Sequence, residues 1–132
     1  MEIEIAMGSD RKILVVDDDE GMREAIESLL DEAGFETTVY ASAEALLAAD
    51  GVESATCVIS DLKLPLMSGL ELLTALRARG PRPPVIVITA HDAPGVCNEA
   101  MRLGAAAYLA KPFLGNALLS AIEVVAGMGS PK

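Results

Sequence analysis

The feature that most constrains this chain is a fivefold alternation of short, β-rich apolar runs with segments of helical periodicity. The apolar runs stand at Ile13-Leu14-Val15-Val16, Thr37-Thr38-Val39-Tyr40, Cys57-Val58-Ile59, Val85-Ile86-Val87-Ile88 and Ala105-Ala106-Ala107-Tyr108-Leu109. Three amphipathic stripes recur at three-and-four spacing: Met22, Ala25, Ile26, Leu29, Leu30 and Ala33; then Leu66, Leu70, Leu73 and Leu76; then Leu114, Leu118, Ile122 and Val125. Ser42 suits the N-cap of an Ala/Leu helix running to about Asp50. A weaker helical segment follows Asp92, with Pro94 expected in its first turn and Gly95 lowering helix propensity by about 1 kcal/mol relative to Ala. Gly34, Gly51, Gly80 and Gly104 each follow a helical pattern, where a residue with positive φ closes the last turn.

Strand–helix alternation of this kind predicts an α/β fold: one three-layer, doubly wound (βα)5 domain whose parallel sheet carries helices on both faces. The first, third and fourth runs are almost continuously apolar, as strands covered on both sides must be. At 132 residues the chain has room for a single domain, assigned to 11–127. Residues 1–10 read as an N-terminal extension or tag, and the Gly/Ser/Pro-rich 128–132 as a linker or an artificial end.

Composition narrows the function. The net charge of −10 opposes binding to a phosphate backbone, so direct nucleic-acid recognition by this chain is not expected. Cys57 and Cys97 are far apart and fit neither a disulfide framework nor paired metal ligands, as in a reducing cytoplasm. No secretory signal or membrane-spanning run is visible, so a cytoplasmic location without membrane contact is expected.

In open parallel sheets ligands sit beyond the carboxyl ends of the strands, where strand order reverses. Asp17-Asp18-Asp19-Glu20 follows the first run, Asp61 the third, Thr89 closes the fourth and Lys111-Pro112 follows the fifth. With strand order 2-1-3-4-5, the first and third strands are neighbours, and their carboxylates converge opposite Thr89 and Lys111. Clustered carboxylates raise one another's pKa, and a hard divalent cation relieves the repulsion. Asp61 can then act as a nucleophile toward phosphorus, with the metal and Lys111 offsetting phosphoryl charge and Thr89 bonding a phosphoryl oxygen. Each residue has a plainer reading: the acidic run as a solvated helix start, which suits Asp19 and Glu20, Asp61 as a turn cap, Thr89 as a strand end and Lys111 as a surface lysine. Their joint position at strand ends favours the site.

The set VVDDDEGMR (15–23), VISDLKLPLMSGLELL (58–73), VIVITAH (85–91) and YLAKPF (108–113) resembles the receiver domain of bacterial two-component response regulators, a flavodoxin-like fold, over about residues 11–127. The resemblance implies that Asp61 is the phosphoacceptor, that Asp17 and Asp18 are the metal-binding acidic pair for Mg²⁺ (or Mn²⁺), and that the backbone carbonyl of Lys63 is a third metal contact. It makes Thr89 the switch hydroxyl, Tyr108 the switch aromatic and Lys111 the phosphoryl-binding lysine, with a cis Lys111-Pro112 bond. His91 and Lys63 fall where the family sets phosphoryl lifetime. The implied function is a phosphorylation-driven switch, not a turnover enzyme. It would be charged by a sensor histidine kinase and would alter a surface of the fourth helix, fifth strand and fifth helix, a possible homodimer face. The implied output is transcriptional, through a domain outside this sequence. Two alternatives stand beside it. A haloacid-dehalogenase-type phosphatase would use Asp17-x-Asp19, but Glu20-Gly21 replaces its continuation and Asp61 is left without a role. A receiver-like interaction domain without phosphorylation would have no use for the full residue set.

Overall fold

The computed structural model describes residues 11–127, so the expectations for 1–10 and 128–132 lie outside the described residues. In chain order the elements are β1 (Lys12–Val16), α1 (Glu20–Glu32), β2 (Glu36–Tyr40), α2 (Ala43–Leu47), a 3-10 turn (Val52–Ser54), β3 (Cys57–Asp61), α3 (Gly69–Arg79), β4 (Val85–Thr89), α4 (Val96–Arg102), β5 (Ala107–Ala110) and α5 (Gly115–Ala126). The five strands form one parallel sheet in the order β2-β1-β3-β4-β5, as predicted.

Period-two alternation along the central strands divides the core into two layers. Leu14, Val16, Val58, Val85 and Val87 face α2, α3 and α4, and meet Leu46, Leu72, Leu73, Leu76 and Ala100. Ile13, Val15, Cys57, Ile59, Ile86 and Ile88 face the opposite way, onto Ile26 and Leu30 of α1 and Leu118 and Ile122 of α5. Each fully buried Leu or Ile contributes about 1.5–3 kcal/mol, so an aliphatic core with few aromatics suffices.

Caps set the helix starts. Asp19 Oδ2 accepts from the Met22 N–H at 2.9 Å, Ser42 Oγ from Ala45 at 3.1 Å, and Ser68 and Glu71 form a reciprocal capping box. Several sequence expectations move accordingly. Leu66 lies before α3, 93% exposed and with φ 66°, because Ser68 caps the helix two residues later. Leu114 is the N-cap of α5 and is exposed rather than part of the buried stripe. Ala25 is also exposed, on the outer flank of the α1 stripe. Pro94 precedes α4 instead of entering its first turn, since Gly95 takes a left-handed φ of 85° as N-cap. The helix after Ser42 ends at Leu47, well short of Asp50. The fifth strand begins at Ala107, two residues after the apolar run does.

Candidate active site at the carboxyl ends of the strands

Because β1 and β3 are buried on both faces and parallel, the residues just past them emerge side by side at one edge of the sheet. Asp17 follows β1 and is completely buried; Asp61 ends β3 and is 6% exposed; Asp18 is exposed. One carboxylate oxygen from each of Asp17, Asp18 and Asp61 lies within 4.8 Å of the others. The predicted acidic trio therefore meets.

Lys111 reaches this trio from the end of β5. Its Nζ donates to Asp17 Oδ2 at 2.9 Å and to Asp61 Oδ2 at 3.3 Å. The other Asp17 oxygen accepts from the Asp19 N–H at 2.9 Å, and the other Asp61 oxygen from the Lys63 N–H at 3.3 Å. Burial pushes the Asp61 pKa up, and the Asp17 charge pushes it further; Lys111 and the Lys63 N–H oppose this without cancelling it. Burial works against the Lys111 ammonium, but the hydrogen bonds and charges of Asp17 and Asp61 outweigh it and raise its pKa above the ordinary lysine value. The lysine is thus held as a cation against two carboxylates, of which Asp61 keeps its proton more tightly than an ordinary carboxyl. Such a pocket favours an incoming cation at the acids and an incoming anion at the lysine.

Thr89 ends β4, fully buried, and its carbonyl accepts the Lys111 N–H at 2.7 Å. Register pairs Asp61 with Ile88, so Thr89 stands one residue beyond the partner of Asp61. Its hydroxyl accepts from the His91 N–H at 2.8 Å. Tyr108 on β5 is half-buried, its hydroxyl donating to Asp92 Oδ1 at 2.8 Å. The Lys111-Pro112 bond is cis, and a second cis bond precedes Pro83.

Some supporting residues escaped sequence reasoning. Arg23 on α1 donates to the Asp17 carbonyl at 2.8 Å, fixing the turn that carries the acidic pair. Ser60 Oγ donates to the Asp61 carbonyl at 2.9 Å. Gly69 packs so closely that a Cβ there would stand 2.2 Å from that same carbonyl oxygen. Gly69 did not escape: with Pro65 it forms the loop pattern after Asp61 by which the sequence already reads Asp61 as the acceptor.

With this geometry in place, comparison with known proteins is decisive. The profile of the response regulator receiver domain matches residues 13–123. The chain belongs to the response regulator receiver family. It is 42% identical over 118 residues to the transcriptional regulatory protein FixJ of Azorhizobium caulinodans, covering 89% of this chain and 56% of that one. It is 44% identical over 111 residues to the response regulator protein FleR of Pseudomonas aeruginosa, covering 84% of this chain and 24% of FleR. Among solved structures, FixJ-N superimposes with a TM-score of 0.80 at 34% identity, covering 92% of this chain and 97% of that one. A receiver domain protein from Clostridium thermocellum gives 0.82 at 31% identity, with 88% and 94% covered. This receiver spans only about half the length of its FixJ relatives. Among the described residues no helix is long and apolar enough to cross a membrane.

Proposed function

We propose that this receiver, residues 11–127, accepts a phosphoryl group on Asp61 and converts it into a change of surface. The observation that carries the reading is Lys111 bridging two of three converging carboxylates, Asp17 and Asp61. Three acids offset by one lysine carry surplus negative charge, and a hard divalent cation such as Mg²⁺ (or Mn²⁺) matches an all-oxygen donor set. Asp17, Asp18 and Asp61 would hold it, with the Lys63 carbonyl as a further ligand by family resemblance. When bound, the cation supplies neutralisation of phosphoryl oxygens.

An Asp61 carboxylate oxygen attacks phosphorus on a phosphohistidine of a sensor histidine kinase, or on acetyl phosphate. An O–P bond forms as the bond to the leaving nitrogen or oxygen breaks. Lys111, already cationic, turns toward the new phosphoryl oxygens. Thr89, whose hydroxyl accepts from the His91 N–H, donates its own O–H to the same group, and Tyr108 turns inward. Hydrogen bonds to charged groups contribute about 1.5–3 kcal/mol each, so two supply about 3–6. A shift from 1:99 to 99:1 needs about 5.5 kcal/mol, which makes near-complete switching attainable. The surface of α4, β5 and α5 then changes its preference for a partner, a second copy of this chain being the simplest. Hydrolysis of the acyl phosphate resets the domain, so its only catalysis is on itself. Relatives named as transcriptional regulators support a transcriptional output, delivered by a region outside this sequence rather than by direct nucleic-acid contact from this acidic chain, and a cytoplasmic location is proposed with it.

Incubation with acetyl phosphate and Mg²⁺, followed by intact mass, tests this. One labile phosphoryl addition, lost in Asp61→Asn, is expected. Steady turnover of phosphate monoesters that survives Asp61→Asn but not Asp17→Asn would instead establish a phosphatase.

A further inference from the structure

An apolar recess of about 330 Å³ opens between α1 and the start of α5. Met22, Ala25, Ile26 and Leu29 line it from α1, and Phe113 and Gly115 from the other side. No lining residue is charged, although the chain carries −10 overall. The acids of α1, Glu20, Glu24, Glu27 and Asp31, recur at helical spacing on the far side of the helix from Met22 and Leu29. Between Phe113 and Gly115 stands Leu114, 74% exposed. It is the N-cap of α5 and makes no side-chain capping bond, where Ser, Thr, Asp or Asn would serve the helix better. Neither packing nor capping within the chain accounts for a leucine at this position.

We propose that two unphosphorylated copies of this chain pair across this face, each placing Leu114 in the other's recess between α1 and α5. Knob and recess are neighbours on one surface, so a twofold axis beside Leu114 fills both recesses at once and closes the assembly as a dimer. Charge favours a second copy here. Two chains of −10 repel each other, and they can approach closely where the meeting surfaces carry no charge and the acids of α1 are turned away. Pro112 also lines the recess and directly follows Lys111, so the interface borders the acidic site without using its side chains. The inference goes beyond the proposed function and does not depend on it. It names a face distinct from that of α4, β5 and the outer side of α5.

Sedimentation equilibrium of the full chain, with neither phosphodonor nor Mg²⁺ added, tests this. The parent chain should show a concentration-dependent equilibrium between monomer and dimer. Leu114→Ser removes the knob while installing a preferred N-cap, so its thermal midpoint should match or exceed the parent's and unfolding cannot explain a lost dimer. Losing two leucine knobs per dimer should weaken association roughly a hundredfold. Ala25→Glu, at an exposed position of the recess and with a good helix former, should prevent pairing by setting a carboxylate in each recess. Met101→Ser, on the exposed surface of α4, should leave association as it is in the parent. A parent chain that stays monomeric up to about 1 mM overturns the proposal. So does a dimer that survives both Leu114→Ser and Ala25→Glu, or one that Met101→Ser dissolves, which would assign the contact to the α4 side.

Discussion

Tyr108 shows how much a single side chain can report. Its pKa is pushed up to about 12 from the ordinary 10.0, first by burial and then by its bond to Asp92. The folded value exceeds the unfolded one, so the stabilising contribution is fully present below pH 10.0 and disappears as pH rises through about 12. Ultraviolet titration of the Tyr40→Phe chain should find one phenol ionising near 12, and Asp92→Ala should bring it down toward 10.0. A phenol that titrates identically with and without Asp92 would mean the bond is not formed in solution. Single residues also explain what the sequence concealed. Asp92 bonds a residue sixteen positions away, and no local pattern marks such a pair. Asp17, Asp61 and Lys111, by contrast, were legible because each stands at the carboxyl end of a strand, and parallel strands deliver those ends to one edge.

Among the elements, the connection from β3 into α3 carries the tightest constraint. Gly69 opens α3, its N–H donating to the Leu62 carbonyl at 2.9 Å, and a Cβ there would stand 2.8 Å from Leu62 Cα besides meeting the Asp61 carbonyl oxygen. Both obstacles are backbone, which cannot rotate away. Gly69→Ala should therefore cost about 1–3 kcal/mol, toward the upper end, in urea denaturation, and should disturb Asp61 as well. A neutral effect would mean that α3 can slide away from β3. Helix boundaries here were only partly readable. The Leu66 and Leu114 positions continue a three-and-four apolar spacing past the true helix starts, and periodicity alone cannot see the boundary. Ser68 and Glu71 could have: a Ser followed three residues later by Glu is a capping box, and it places the start of α3 after Leu66. For α5 no such signal exists, since Leu114 caps nothing with its side chain. The inner strands were legible because continuous apolar runs belong at the sheet centre, where β1, β3 and β4 lie, whereas their order followed from the family resemblance.

For the molecule as a whole, the proposed cation links folding to the site. A ligand bound only by the folded state stabilises it by an amount that grows with the logarithm of its concentration, about 2.7 kcal/mol at a hundredfold excess over Kd. Mg²⁺ should accordingly raise the thermal midpoint of this receiver, and Asp17→Asn should abolish that rise whatever its effect on the metal-free midpoint. Because the Asp61 pKa is raised, metal binding should release protons, and the Mg²⁺ increment should shrink as pH falls through the titration of Asp61. Differential scanning calorimetry over a pH series measures both; an increment unchanged by Asp17→Asn would place the cation elsewhere. The central claim, however, is that Asp61 is where phosphorus is held. It is tested most directly by labelling with acetyl phosphate and Mg²⁺, reducing the acyl phosphate with borohydride, and mapping the peptides. The account predicts homoserine at position 61 and at no other aspartate. Reduction at Asp17 or Asp18, or a label recovered on His91, would contradict it.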